Sequence, residues 1–461
     1  MSHAAFVCTD VSMGEIESAG ALEQGLAKAL ARAGMAAPEG MRRLTGGATM
    51  ESWRFSSGGE DFVLRRAPSL AFMEGRPFGH DSEAVIIGAA HAAGVTAPEV
   101  LVGLQPGDGI GSGFVMRALP GTPDPRAILA MDDPARLLRD VARDLARIHA
   151  LPRAGLPGDV PELDYAEGIE GLAEQFEEAG GDRPIIALGL RWLRENMPDR
   201  VEPVLNHGDY RLGNLLAQDS QLTGVLDWEL AHFGDRHEDL AFGCMAVWRF
   251  ARVDRPALGL GSLQDYVAAY EAESGARVDA GRFRFWLVYR TVWWALGCLR
   301  MASFWRSGDD RMLERVVISR RTSEQELDLL LLLEEDAPEA EQARAMPPRD
   351  ALPEPLGEAS AGELATAVAE WLGSVKDRME GHDRFQLAVA RNALGMIARN
   401  DAAATQVEDD MLAQDVLDGR ASLATPGLLA MLRRAALDKL GADVPKYPML
   451  ALARKKWTGE D

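Results

Sequence analysis

The chain has 461 residues, 47% hydrophobic and 26% charged, an ordinary soluble composition long enough for two or three domains. Its formal net charge of −22 excludes a nucleic-acid partner, because that binding rests on Lys and Arg neutralising phosphates. Cys8, Cys244 and Cys298 lie far apart and match no metal or redox spacing, the first twenty residues carry acids where a secretory signal would be basic, and no charge-free apolar stretch reaches membrane-spanning length, so a cytoplasmic protein without a membrane partner is expected.

Residues 1–20 show no clear periodicity and read as a mobile arm. Leu22, Leu26, Ala29 and Leu30 then recur at helical spacing through 21–34, with Gly34 as the stop. The period changes next: 42–68 read as a meander, with a first strand running into Gly46-Gly47, a second around 52–55, a turn at Ser57-Gly58-Gly59, and a third over 62–66 that ends in Arg65-Arg66. Two adjacent glycines let a backbone approach a phosphate closely, although a plain hairpin turn uses them as readily. A helix over 81–94 carries Glu83. Strands over 99–103 and 113–118 complete a five-stranded small lobe spanning 21–118, and Leu119-Pro120-Gly121 breaks the pattern as a hinge. Asp133-Pro134 is an N-cap followed by proline at the first helical position, and it opens a helix that runs to His149, read as a core histidine. Helices over 165–179 and 184–196 follow.

The densest signal is 204–241, VLNHGDYRLGNLLAQDSQLTGVLDWELAHFGDRHEDLA. Short apolar runs read as strands that carry His207, Asp209, Asn214 and Asp227 into adjoining loops. Hard oxygen ligands brought to one mouth suit Mg²⁺, and one free carboxylate there can take a proton. A base, an amide five residues on and a second acid after the next strand are the parts protein kinases use for phosphoryl transfer.

HGDYRLGN followed by GVLDWELAHFGDRHEDLA resembles the aminoglycoside phosphotransferase and choline kinase-like family, in the branch similar to kinase domains fused to acyl-CoA dehydrogenases. The resemblance implies an α+β, bilobal protein-kinase-like fold, with a small antiparallel β lobe (21–118) and a large helical catalytic lobe (119–336). It implies transfer of the γ-phosphoryl group of ATP or GTP to a hydroxyl of a small molecule. Asp209 would be the catalytic base, Asn214 and Asp227 the Mg²⁺ ligands, His207 a support of the loop, and Arg211 either a phosphate contact or a loop stabiliser. Glu229 is close enough in sequence to join the metal site, and Asp239 would bond back to the catalytic loop. Gly46-Gly47 would cover the nucleotide, and Met116 to Ala118 would meet its base. Arg65 stands where the family usually has lysine, with Glu83 as its partner. This substitution is a departure, since arginine is bulkier and forked.

The acceptor expected from this branch is a hydroxylated acyl or acyl-CoA-like metabolite. An aminoglycoside or other amino alcohol is the alternative. A nucleotide-binding pseudokinase scaffold is the rival of another class, resting on Arg65 alone. No GxxxxGK[ST] occurs, so a P-loop enzyme is excluded.

Beyond the motif, helices are expected over 237–250, 262–274, 279–303 and 311–335. Trp248, Trp286, Trp293, Trp294 and Trp305 mostly serve packing there, with some of them possible lining for an apolar acceptor site. Proline-rich 337–360 reads as a linker. Residues 361–461 read as a helical accessory domain, with helices opened by Ser360 and over 383–400, 403–417 and 426–440, that docks on the kinase body or on a second copy as a homodimer.

Overall fold

The structure is a computed structural model of the chain and describes residues 19–44, 50–68, 73, 76–348, 357–402 and 409–459. Of the arm expected at 1–20, residues 1–18 lie outside the described residues, as does the Gly46-Gly47 loop, while Ala19 and Gly20 already belong to the first helix. The chain forms two compact units, one of residues up to 162 together with 204–209 and 213–233, the other of 163–203, 210–212 and 234 onward.

In the first unit, β1 (Glu39–Arg43), β2 (Glu51–Ser57), β3 (Glu60–Ala67), β4 (Val100–Gly103) and β5 (Ser112–Arg117) form the expected five-stranded antiparallel sheet, ordered β1-β2-β3-β5-β4. The β2–β3 turn works because Gly58 and Gly59 take φ of 59° and 85°, the left-handed pair that matches strand twist in a two-residue hairpin. Helix α1 (Ala19–Arg32) buries Leu22, Leu26, Ala29 and Leu30 with Phe55, Phe62, Leu64 and Val115 of the sheet. Because strand side chains alternate, burying Phe62 and Leu64 sends Arg65 to the opposite face. Helix α2 (His80–Ala92) packs on β4 and β5 and presents Glu83. Helices α3 (Pro125–Leu129) and α4 (Pro134–His149) begin at Asp124 and Asp133, whose side chains accept N–H groups of their first turns. The stripe Leu137, Leu138, Val141, Leu145 and Ile148 of α4 is buried, and α4 packs on β6 (Val204–Asn206) and on the hairpin of β7 (Leu215–Gln218) and β8 (Gln221–Val225). A short β9 (His232–Gly234), absent from the sequence reading, pairs with β6.

The second unit is helical: α5 (Tyr165–Glu178), α6 (Pro184–Glu195), α7 (Arg236–Phe242), α8 (Leu263–Ser274), the 28-residue α9 (Ala280–Ser307), α10 (Leu313–Ser319), α11 (Thr322–Leu333), α12 (Glu339–Gln342), α13 (Ala361–Val375), α14 (Gly381–Asp401), α15 (Asp410–Leu417), α16 (Leu428–Asp443) and α17 (Pro448–Thr458). Two expected helices are broken. The run 237–250 stops at Gly243, where a Cβ would come 2.8 Å from the Tyr210 carbonyl oxygen, and resumes as a 3-10 turn over Ala246–Arg249. The run 311–335 divides between α10 and α11, where Thr322 and Ser323 hydroxyls donate to the Ser319 and Arg320 carbonyls and compete with the helical ladder. Within the stretch read as a linker, α12 packs on α16, and Glu341 accepts the Gly427 N–H at 2.8 Å. Helix α17 was not foreseen, although Pro448 at its first turn is a start signal. Among the described residues no helix is long and apolar enough to cross a membrane.

Candidate active site

The first unit gathers the polar motif at the end of β6. After Asn206 the chain turns through Gly208 at φ 83°, and a Cβ there would sit 2.2 Å from the Leu230 carbonyl oxygen, so glycine is required. The buried His207 ring donates from Nε2 to the Leu226 carbonyl at 3.1 Å, while Nδ1 accepts the Asp209 N–H at 3.3 Å. That pattern fixes a neutral tautomer, and packing against Trp228, with ring centroids 4.7 Å apart, holds the ring still. His207 thereby ties the Asp209 turn to the end of β8.

Asp209 and Asn214 meet directly. Asn214 donates from Nδ2 to Asp209 Oδ2 at 2.6 Å and to the Asp209 carbonyl at 3.0 Å. The five-residue step thus closes a ring through Gly213 at φ 106°, and Asn214 keeps its side-chain oxygen for another partner. The Leu226 N–H donates to the Asn214 carbonyl at 2.8 Å, which sets the next residue, Asp227, beside the pair. Asp227 has φ 69°, a left-handed conformation uncommon for a residue with a side chain and typical of strained functional turns.

Arg65 reaches this turn from β3. Its Nη2 donates to Asp227 Oδ1 at 2.7 Å and to Glu229 Oε2 at 2.8 Å, and its Nε lies 3.2 Å from Glu83 Oε1, an ion pair without hydrogen-bond alignment. Arg76 donates to Glu229 Oε2 at 2.8 Å. Two arginines therefore face three carboxylates, with Asp209 as a fourth acid nearby. Burial, opposed by Arg65, pushes the Glu83 carboxyl up to about 7. The Arg65 guanidinium loses solvation on burial, but Glu83, Asp227 and Glu229 outweigh that and hold it protonated. Burial and the two arginines push His80 down to about 4; its Nδ1 meets Ser112 Oγ at 2.9 Å. Glu83 is 3% exposed, whereas Asp227 and Glu229 are 36% and 30% exposed, so the acids furthest from the sheet open to solvent.

An open set of carboxylate and amide oxygens with excess negative charge suits a hard divalent cation that keeps water and phosphate ligands. Among the described residues no three His, Cys, Asp or Glu side chains form a ready metal cage. Met116 lies in β5 between Val63 and Val100, and the Arg117 and Ala118 N–H groups are donated to the Glu99 and Asp61 carbonyls. Ala118 therefore has no spare N–H for a base. Arg211 belongs to the second unit, where its guanidinium lies 4.2 Å over the Trp248 ring and Nη1 donates to the Leu212 carbonyl. In that unit Asp235 caps α7, accepts from His237 Nδ1 at 2.6 Å and from Arg282 Nη1 at 2.7 Å, and Asp239 is fully buried. Arg76 and His80 were missed by the sequence reading; each stands alone in its segment, with no spacing to mark it.

The profile of the phosphotransferase enzyme family matches residues 40–276. Acyl-CoA dehydrogenase family member 10 of Mus musculus is 28% identical over 229 residues, covering 45% of this chain and 21% of that protein. Acyl-CoA dehydrogenase family member 11 of Gallus gallus is 28% identical over 246 residues, covering 51% and 31%. The chain thus spans less than a third of the length of these two relatives. Aminoglycoside 3'-phosphotransferase of Escherichia coli is 30% identical over 152 residues, 28% of this chain and 50% of that protein. Among solved structures, a Ralstonia eutropha protein described as an aminoglycoside phosphotransferase superposes with a TM-score of 0.56 at 20% identity, over 68% of this chain and 98% of that one, a likeness of protein-kinase-like fold.

Proposed function

Because this chain belongs to the phosphotransferase enzyme family, we propose that it transfers the γ-phosphoryl group of ATP or GTP to a hydroxyl of a small molecule. The observation that carries this reading is the meeting of Arg65, Asp227 and Glu229 beside the bonded pair Asp209–Asn214. Asp209 takes or orients the proton of the attacking hydroxyl, and its hydrogen bond from Asn214 aims the carboxylate. Arg65, already protonated and held by Glu83, meets phosphate oxygens in place of a carboxylate, for which its forked donors are suited. Asn214 and Asp227, with Glu229 at hand, would hold Mg²⁺, which would neutralise charge developing on the transferring group. His207 keeps the loop rigid, and Arg211 serves phosphate or loop from the residue two after Asp209.

Relatives named for acyl-CoA dehydrogenation support a hydroxylated acyl or acyl-CoA-like acceptor. The Escherichia coli aminoglycoside 3'-phosphotransferase supports a cationic amino alcohol as the second reading. The test is phosphate transfer by the purified chain with Mg²⁺ and ATP or GTP, against hydroxyacyl-CoAs, hydroxy acids and aminoglycosides. Transfer to one class, reduced by about 10²–10⁴ in Asp209→Ala, is expected. Tight nucleotide binding with no transfer to any acceptor, unchanged in Asp209→Ala, would instead make the chain a nucleotide-binding scaffold.

A further inference from the structure

One carboxylate oxygen of the site receives two cations. Arg65 Nη2 and Arg76 Nη1 each donate to Glu229 Oε2 at 2.8 Å, so two guanidinium groups converge on a single acceptor in the turn after β8. They arrive from different places. Arg65 stands on β3, and its Nε faces Glu83, which is 3% exposed. Arg76 comes from the connection between β3 and α2, where Pro77 behind it disfavours helical backbone. Arg76 is 20% and Glu229 30% exposed, so their pair lies on the water-facing side of the cluster. An ion pair open to water contributes little, because solvent screens it and two long side chains must be ordered to make it. Such a contact exchanges readily for a stronger one.

We propose that Arg76 is a second phosphate-binding residue, a role that rests on the phosphotransferase reading and extends it to a side chain outside the motif. It trades Glu229 for a phosphate oxygen of the nucleotide and completes a two-arginine grip with Arg65. A carboxylate and a phosphate offer a guanidinium the same kind of acceptor, but a nucleoside triphosphate carries several negative charges where Glu229 carries one. Because both arginines already donate to one oxygen, a phosphate group arriving at that place meets both. The same exchange releases Glu229 from Arg65 and Arg76, and Asp227 from Arg65. At rest the protein's own carboxylates therefore keep the grip in shape, and the nucleotide displaces them.

The experiment is binding of the fluorescent nucleotide mant-ATP to the full chain, followed by anisotropy in EDTA and again with Mg²⁺. Arg76→Gln is expected to weaken binding in both buffers by about ten- to a hundredfold, the worth of a charge-assisted hydrogen bond, and Arg76→Lys to recover part of the loss. Glu229→Gln is expected to act in the opposite direction in EDTA and tighten binding, since it removes the competitor for both arginines. Added to Arg76→Gln, the same change is expected to gain less than it does alone, because one of the two arginines it would release is gone. A residue that only braces Glu229 behaves otherwise: Arg76→Gln would lower the melting temperature and leave nucleotide affinity where it was. Arg76→Gln with wild-type affinity, or Glu229→Gln that fails to tighten binding in EDTA, would overturn the proposal and leave the phosphotransferase reading standing on the wild type's own binding. A wild type that binds no mant-ATP in either buffer would overturn both.

Discussion

Arg65 holds three carboxylates with one side chain, which a lysine ammonium cannot do over the same span. Its Nε faces Glu83 while Nη2 reaches Asp227 and Glu229. A hydrogen bond to a charged group contributes about 1.5–3 kcal/mol, so Arg65→Lys is expected to lower kcat/KM for the nucleotide by roughly ten- to a hundredfold, read by steady-state kinetics at varied ATP. Glu83 adds a pH dependence. Its carboxyl is raised from 4.5 to about 7 by burial, so the stability it contributes is full below 4.5 and is lost as pH rises through 7. The Arg65–Glu83 pair, by contrast, becomes fully ionic only above that value. Activity is therefore expected to rise with pH across neutrality, and Glu83→Gln to lose that limb; a Glu83→Gln profile identical to wild type would show that Glu83 does not set it.

At the scale of elements, the turn from β6 to β7 holds its shape by backbone geometry as much as by side chains. Gly208 and Gly59 test this, since both have positive φ but only Gly208 faces a wall: nothing lies within 4 Å of a Cβ on Gly59. Gly59→Ala is expected to cost the left-handed strain alone, about 1–2 kcal/mol in urea denaturation. Gly208→Ala adds overlap with the Leu230 carbonyl and displaces Asp209, so it should lose both more stability and phosphate transfer. Equal urea midpoints for the two variants would show that the Leu230 wall yields. The break between α7 and the 3-10 turn that follows obeys the same rule. Gly243 passes close to the Tyr210 carbonyl, and Phe250 and Ala251 adopt φ of 46° and 74°.

At the scale of the whole molecule, the second unit threads buried acids along α11, each met by a partner: Glu324 by Arg321, Glu326 by Arg183 just before α6, and Asp328 by the Tyr447 hydroxyl at 2.5 Å, just before α17. Glu334, just after α11, receives Arg433 of α16 and the Trp457 indole N–H. The tail helices are therefore fastened to α11 by polar bonds as well as by Leu327, Leu437, Leu440 and Leu450. Burial pushes the Asp328 carboxyl from 3.8 up to about 7, and its Oδ1 has no hydrogen-bond partner. The stability of the neutral form is full below 3.8 and lost as pH rises through 7, by about 4 kcal/mol at most. Asp328→Asn, which stays neutral, is expected to melt higher than wild type above neutrality and to flatten the decline; a parallel decline in both proteins would place its cause elsewhere.

The sequence by itself determined what is local. Caps at Asp133 and Ser360, the glycine pair of the β2–β3 turn, the helical stripes of α1 and α4, and the five-residue step from Asp209 to Asn214 are set by spacing and by the conformations single residues allow, so the sheet, most helices and the family's motif were legible before any fold was seen. What only the tertiary structure decided depends on residues far apart in the chain. Arg65 and Asp227 are separated by 162 positions, Arg76 and Glu229 by 153. The arginine fork over three acids, the use of the Asn214 amide on Asp209, and the breaks within 237–250 and 311–335 all follow from which surfaces meet, and periodicity along one segment holds no record of its neighbours.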